Sequence, residues 1–462
     1  MNKIPNVFKN SCIRDKINSG YLQTEKIIAL GTAISTLLYE EFENPCNILI
    51  ATDTRPSGQF IKQALIQGLT SHSHEIYDAG ICPTPFVAKA LRDYQDDQDN
   101  QDDQDDYNDF DEDQEDNFFT LGFVITASHN PAEYNGIKVL TEFGYLTQEI
   151  ELEISRIYHE IMGKNTPQLK SGKTPCIDID LINFYQDEIE QELNNITFKD
   201  FSILLDCANG ATAHIAPKIF QTLGIKTIAI NNEQDGNKIN SNSGSENHML
   251  LLEQIQKNKT TWGCAFDGDG DRVIIAHESG KIFDGDDLLV VISQNNAYQD
   301  FKTVVGTVMT NQGIIEYLEK KNKKVIRAQV GERNIIETLM NNQAMIGSEP
   351  CGHITVMEHA FCSDGIFAAL LFFETIQNKP ELFNISYDKY VQKHSFISLE
   401  KKTIDTKNIS MILSKYHSSD VRIIARPSNT EPILRIMVEH KDEQKAQEIL
   451  EQLKNDFLKL IN

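Results

Sequence analysis

At 462 residues the chain exceeds what one hydrophobic core organises, and a prior of about 150 residues per domain predicts about three domains, with four small ones also fitting. Its 40% hydrophobic and 24% charged residues suit a globular protein, and its net charge of −25 argues against nonspecific nucleic-acid binding. Thirteen Asp and Glu, with no Lys or Arg, fall between Asp96 and Asp116, so about half of that acidity belongs to one tract and −12 is left for the rest.

The N-terminal MNKIPNVFKNSCIRD has no apolar stretch before its charges, and no later run has the length of a membrane span, so cytoplasm is the expected location. Cys12, Cys46, Cys82, Cys176, Cys207, Cys264, Cys351 and Cys362 show no CxxC pair and read as reduced thiols. The first strand-like run is NILIATD (47–53), leading through TRPSG into a helix with Ile61, Leu65 and Leu69 on one face. An acidic insertion at 94–117, rich in Asp, Gln and Asn, is expected to be disordered because that composition cannot offset the entropy of ordering.

The same unit recurs. SILLD (202–206) passes through CANGAT to HIAPKIFQTLG, closing on Gly224, and TVVGTVM (303–309) passes through TNQG to IIEYLEKK. Strand–turn–helix alternation predicts an α/β fold with largely parallel sheets. The C-terminus differs: VRIIARPS and ILRIMVE are two short strands, followed by a helix with Ala446, Ile449, Leu450, Leu453 and Phe457 on one face. Polar linkers at 163–175, Ser279–Gly280 and 378–384 then divide the chain. The expectation is three related mixed α/β domains (1–165, 173–279 and 280–380) plus a smaller α+β domain (386–462).

Four loops carry chemistry. After the strand LGFVI, TASHNP (126–131) exposes Ser128 in a polar turn where a hydroxyl can accept or donate a phosphoryl group, although Asn-Pro alone also suits an ordinary turn. After TWGCAF, DGDGDR (267–272) alternates Asp267, Asp269 and Asp271 with glycine, so the three carboxylates can converge on a hard cation such as Mg²⁺. An EF-hand is rejected, because Arg272 stands where that loop needs glycine and Val273 to Ile275 continues as a strand. GSEPCGH (347–353) offers Glu349 to sugar hydroxyls or an amine and His353 as a proton carrier near neutral pH. In RPSNTEP (426–432), Arg426, Ser428, Thr430 and turn N–H groups make a phosphate cradle, and no Walker loop or G-x-G-x-x-G is present.

Taken together and in this order, the four loops resemble those of the α-D-phosphohexomutase family. ICPTPFVAKAL (81–91), LDCANGATAHIAPKIFQTLG (205–224), DGNKINSNSGS (235–245), VGERN (330–334) and TEPILRIMVE (430–439) resemble its bacterial phosphoglucosamine-mutase branch, whereas RPSNT resembles the phosphoglucomutase/phosphomannomutase branch. The family's FGTDGIRG appears as FKNSCIRD (8–15), keeping Phe8, Ile13 and Arg14 but losing the Asp and placing Lys9, Cys12 and Asp15 where the family has glycine. Cys351 replaces the family's serine.

The resemblance implies four domains around a central cleft and a phosphoserine mechanism interconverting glucosamine 6-phosphate and glucosamine 1-phosphate through a bisphosphate. Glucose or mannose phosphate, or a catalytically silent binding protein, are the alternatives. It implies Mg²⁺ held by Asp267, Asp269, Asp271 and the Ser128 phosphate, with Arg14, Lys138 and Arg272 supplying positive field. His353, His129 or Lys138 acts as acid or base. Glu349, Cys351 and His353 face the sugar, and Arg426, Ser428, Asn429, Thr430 and Arg435 hold the unreactive phosphate. The partner is a small sugar phosphate, not a nucleic acid or a membrane, and the protein is a monomer or homodimer.

Overall fold

The computed structural model describes residues 5–9, 11–95, 118–164, 176–193, 196–399, 404–416, 418, 420–428 and 432–461. The acidic tract from 96 to 117, most of the 163–175 linker, Asn429 and Thr430 lie outside the described residues. Among the described residues no helix is long and apolar enough to cross a membrane, and all eight cysteines are free.

Four sheets follow one another. The first contains β1 (Cys12–Lys16), β2 (Asn47–Thr52), β3 (Glu75–Ile81), β4 (Leu121–Ile125), β5 (Tyr134–Thr141), β6 (Gly144–Tyr145) and β7 (Ile177–Asp178), in the order β1-β5-β4-β2-β3-β7 with β6 on β5. The second contains β8 (Ser202–Asp206), β9 (Lys226–Ile230), β10 (Trp262–Phe266), β11 (Val273–His277) and β12 (Ile282–Phe283). The third has β13 (Thr303–Thr307), β14 (Lys324–Ala328), β15 (Ile346–Ser348) and β16 (Ile354–Val356), and the last β17 (Val391–Ser398), β18 (Arg422–Pro427) and β19 (Ile433–His440).

The first three sheets repeat one topology. Each has a parallel triplet (β3-β2-β4, β9-β8-β10, β14-β13-β15) closed beyond its third-in-sequence strand by an antiparallel one (β5, β11, β16). Runs such as ILIA (48–51) are apolar throughout because helices cover both faces, and Ile48, Leu49, Ile50 and Ala51 are all buried. Packing beside them is tight: the helices Thr24–Phe42 and Gly58–Leu69 meet where a Cβ on Gly68 would lie 2.3 Å from the Ile28 carbonyl. One apolar cluster runs through all three sheets, from Leu49 and Phe86 through Leu205 and Phe266 to Phe372, while the C-terminal sheet has its own core around Leu434, Val438, Leu450 and Phe457.

Several details differ from the sequence expectation. β13 stops at Thr307, two residues early, because the Thr310 hydroxyl captures the Thr307 N–H (2.9 Å) and the Thr307 hydroxyl captures the Met309 N–H (3.1 Å). Residues 177–178, placed by sequence in the second domain, pair with β3 in the first sheet. The 378–384 stretch contains a 3₁₀ turn, Pro380–Asn384, that buries Leu382. At the N-terminus, the left-handed backbone falls on Ser11 (φ 61°), whereas Cys12 and Asp15 lie in β1. The C-terminal domain also has a third strand, β17, that the two-strand reading missed.

Candidate active site

Three of the four loops sit at one topological position, after the third-in-sequence strand of each parallel triplet. Ser128 follows β4, the aspartates follow β10, and Glu349 to His353 follow β15. Ligands in α/β sheets gather at the carboxyl ends of parallel strands, which is where these loops converge.

Ser128 has φ 50°, a left-handed backbone that non-glycine residues rarely adopt and that recurs at functional sites. The loop is clamped into this shape. Arg55, buried against Asp53 (Nε to Oδ2, 2.9 Å), donates to the carbonyls of Ser128, Asn130, Pro131 and Tyr134. Asn240 Nδ2 donates to the same Ser128 carbonyl at 2.8 Å, and Arg14 Nη1 donates to Asn130 Oδ1 at 3.0 Å. Gly268 permits the metal loop to approach, since a Cβ there would lie 2.7 Å from the Ser128 carbonyl.

The Ser128 hydroxyl donates to Asp267 Oδ2 at 2.7 Å and lies 3.3 Å from His129 Nδ1. Asp267, Asp269 and Asp271 are all buried, with ligand oxygens within 4.8 Å of one another. Among the described residues Asp269 Oδ1 is buried without a hydrogen-bond partner, while its Oδ2 accepts from Thr84 (2.6 Å) and Lys138 (2.7 Å). Lys138 also reaches Asp271 Oδ2 at 2.6 Å. An orphaned carboxylate oxygen inside an all-oxygen cluster fits a hard divalent cation such as Mg²⁺. Burial, then repulsion from Asp271 and Asp269, raises the Asp267 carboxyl well above its usual range. Burial also opposes charge on Asp271, but Lys138 and His353 outweigh it and hold that carboxyl well below the usual range.

His353 joins the aspartate loop to the 347–353 loop. Its Nδ1 is 2.8 Å from Glu349 Oε2, and its Nε2 lies 3.2 Å from Asp271 Oδ1 and 3.0 Å from Arg272 Nε. An unprotonated Nε2 accepts from Arg272, and a protonated one donates to Asp271, so a proton at this atom exchanges one bond for the other. His129 is different: burial and the charges of Arg272 and Arg14 push its pKa down to about 2. Cys351, partly exposed, has its sulfur 3.7 Å from His353 Nδ1.

On the C-terminal sheet Arg426 and Arg435 are direct cross-strand partners on β18 and β19. Like charges facing one another across strands are unfavourable until an anion joins them. Burial and the charge of Arg435 lower the Arg426 pKa, while Glu349 opposes them, which places Arg426 within the field of the 347–353 loop. Both arginines line a cavity of about 470 Å³ with Met309, His394 and Phe396. Ser428 N–H closes the turn on the Ile433 carbonyl (2.8 Å).

The sequence motifs did not single out Asp53, Arg55, Thr84 or Asn240. Asp53 ends the run NILIATD, read as a strand, and Arg55 sits in TRPSG, read only as a turn, although polar residues at the end of an apolar strand are a signal. Glu332 in VGERN is another: Tyr145 donates to it at 2.5 Å, and it approaches Asp271 and His353.

Comparison with known proteins gives a consistent result. Models of phosphoglucomutase/phosphomannomutase α/β/α domains I, II and III match residues 5–164, 183–280 and 284–393, and the model of the C-terminal domain matches 402–455. A phosphoglucosamine mutase from Caldicellulosiruptor saccharolyticus is 33% identical over 91% of this chain and 92% of its own length. A phosphoglucomutase/phosphomannomutase family protein from Burkholderia thailandensis superposes with a TM-score of 0.79 at 19% identity, covering 99% of this chain and 97% of its own. The Aspergillus fumigatus N-acetylphosphoglucosamine mutase, solved with GlcNAc-6P and magnesium, has a TM-score of 0.56 at 16% identity, over 73% of this chain and 88% of its own.

Proposed function

The chain belongs to the phosphoglucomutase/phosphomannomutase (α-D-phosphohexomutase) family, and from that premise we propose that it interconverts glucosamine 6-phosphate and glucosamine 1-phosphate through phosphorylated Ser128. The observation that carries this reading is the Ser128 hydroxyl, fixed 2.7 Å from Asp267 at the edge of the aspartate cluster. Relatives named phosphoglucosamine mutase support the amino-sugar substrate, and Glu349 offers a carboxylate suited to an ammonium group.

In the forward half-reaction the Ser128 Oγ–P bond breaks as a sugar hydroxyl oxygen bonds to phosphorus, and the hydroxyl proton leaves to a base. The bisphosphate then turns over, and its other phosphoryl returns to Oγ. Such transfer depends on positioning and charge neutralisation more than on covalent chemistry. Asp267, Asp269 and Asp271 would hold Mg²⁺, which when bound offsets charge on the moving phosphoryl group. Arg14 and Arg272 add positive field, and Arg14 has a buried Nε without a partner among the described residues. Lys138, His129 and His353 are the candidate proton carriers, with His129 kept unprotonated at neutral pH by burial and the charges of Arg272 and Arg14. Of these His353 has the best-placed exchange, between Arg272 and Asp271. Arg426, Ser428, Asn429, Thr430 and Arg435 bind the distal phosphate, which allows either end of the intermediate to occupy the same cradle.

The test is a comparison of glucosamine, glucose and mannose 6-phosphates as substrates, with phosphopeptide mapping of the protein. Glucosamine 6-phosphate should give the highest kcat/KM, and Ser128 should carry the phosphate. Preference for glucose or mannose phosphate would replace the substrate assignment, and full turnover by Ser128→Ala would end the phosphoserine mechanism.

A further inference from the structure

The sugar loop carries a second set of metal-ligating atoms, distinct from the aspartates. One carboxylate oxygen of Glu349, the Cys351 sulfur and a ring nitrogen of His353 all lie within 4.8 Å of one another. His353 Nδ1 is 2.8 Å from Glu349 Oε2 and 3.7 Å from Cys351 Sγ. Tetrahedral zinc with ordinary bond lengths needs nitrogen and sulfur about 3.5 Å apart and nitrogen and oxygen about 3.3 Å apart. The present spacing meets those values after shifts of a few tenths of an ångström.

The surroundings are those of a metal-bound histidine. The opposite ring nitrogen, Nε2, lies 3.2 Å from Asp271 Oδ1 and 3.0 Å from Arg272 Nε; with its proton on Nε2 the ring donates to Asp271, the carboxylate–histidine–metal arrangement that fixes ring orientation, and Nδ1 is then an acceptor that can turn from Glu349 to an ion. Glu349 and His353 are buried, whereas Cys351 is partly exposed and, with Pro350, Glu246 and His248, rims a cavity of about 440 Å³. An ion can therefore reach the thiol from that cavity. The thiol decides the selectivity: the aspartates present only oxygen, which suits hard cations, while sulfur, imidazole and carboxylate together suit a borderline-soft ion.

We propose that Glu349, Cys351 and His353 form a second metal site, for Zn²⁺ or a similar borderline-soft divalent ion. Binding displaces the thiol proton, and any proton on Nδ1, to solvent. Glu349 exchanges its bond to His353 for the ion. Occupancy removes both residues from the sugar, so the site is inhibitory. That consequence rests on the proposed function, whereas the existence of the site does not.

Chelator-stripped protein in excess Mg²⁺ is titrated with Co²⁺, following the near-ultraviolet thiolate-to-cobalt absorption, and Zn²⁺ is then used to displace the Co²⁺. Oxygen-only ligands give no such band, so the aspartate site is silent in this measurement. One equivalent of Co²⁺ should develop the band, Zn²⁺ should abolish it, and Cys351→Ser should remove it while weakening Zn²⁺ binding by about tenfold or more. Cys176 also lies in a three-ligand group, with Asp78 and Asp178, so Cys176→Ser is the control and should retain the band. No band in the wild-type protein, a band that survives Cys351→Ser in a variant with unchanged circular dichroism, or loss of the band with Cys176→Ser would overturn the proposal. A band without any Zn²⁺ inhibition of turnover would leave the site and overturn its regulatory consequence.

Discussion

At the Ser128 loop arginine, asparagine and lysine side chains hold the backbone carbonyls and the carboxylates in place, whereas on the C-terminal sheet two arginines face each other across adjacent strands. Arg55 and Asn240 hold the Ser128 loop through its carbonyls, and Lys138 neutralises Asp269 and Asp271. The first region carries its order in the fold, embedded in a core continuous across three sheets. Arg426 and Arg435 belong to a sheet with a separate core, joined to the third domain through polar contacts such as Arg422 to the Thr310 carbonyl and Gln392 to the Met309 carbonyl. Substitutions in the first region should therefore cost stability or the chemical step, and those in the second should cost binding.

The largest effect is expected from Arg55→Ala. Removing it leaves Asp53 buried without its counter-charge and takes one donor from each of four carbonyls, a loss of about 3–5 kcal/mol on the scale of broken buried ion pairs. Denaturant midpoints and turnover should fall together. A variant with wild-type stability would show that the Ser128 loop does not depend on this clamp.

Asp269→Asn should lower kcat by about 10²- to 10³-fold, the range for losing one electrostatic contact to a reacting group. Stability should respond in the opposite sense. One of three crowded negative charges is removed, so the metal-free variant should melt no lower than the parent, and the rise in Tm on adding Mg²⁺ should shrink. Full activity after exhaustive chelation would separate the aspartates from the reaction.

Arg426→Ala probes the second region. It relieves the facing of like charges and removes a charge-assisted contact of about 1.5–3 kcal/mol. KM should rise about 10- to 100-fold at nearly constant kcat, with unchanged or slightly higher Tm. A fall in kcat with KM unchanged would place this arginine at the reacting phosphoryl group instead.

Between the regions lies the acidic turn that begins the helix Gly285–Ile292. Burial, followed by the charge of Asp284, raises Asp286 to about 7 and Asp287 to about 6. Their folded values exceed the usual 3.8, so the folded protein holds protons that the unfolded chain has released, and their contribution to stability falls as pH rises from about 4 to about 7. Asp286→Asn should flatten the Tm–pH profile in that window and gain about 1–2 kcal/mol at pH 8. A parallel, undiminished slope would assign the pH dependence to other carboxyls.

The contrast also explains what sequence could disclose. The three loops were legible because each combines an all-apolar strand with an abrupt polar turn, and the repeated strand–turn–helix unit announced the repeated sheets. The aspartates announced themselves by spacing, since no folding reason gathers three carboxylates. Arg55 and Asn240 stayed hidden because they act through backbone carbonyls from loops distant in sequence. Residues 177–178 were misplaced because two exposed residues carry no signal of the strand they join. At the cradle, sequence supplied Arg426 and Ser428, but the opposition of Arg426 and Arg435 depends on the pairing of β18 with β19.

The smallest effect concerns Cys351, which stands between the two regions on the rim of the sugar loop. A serine hydroxyl donates and accepts stronger hydrogen bonds than a thiol, and here the side chain is partly exposed and near His353 rather than packed in the core. Cys351→Ser should therefore raise kcat/KM for the preferred sugar phosphate by the worth of about one hydrogen bond, about 0.5–1.5 kcal/mol, while Tm changes little. Had the thiol been buried, serine would instead leave a polar atom poorly paired and lower the Tm. Measuring both quantities on the one variant separates these cases: unchanged kcat/KM with a reduced Tm would mean that Cys351 supports the loop from behind and does not meet the sugar.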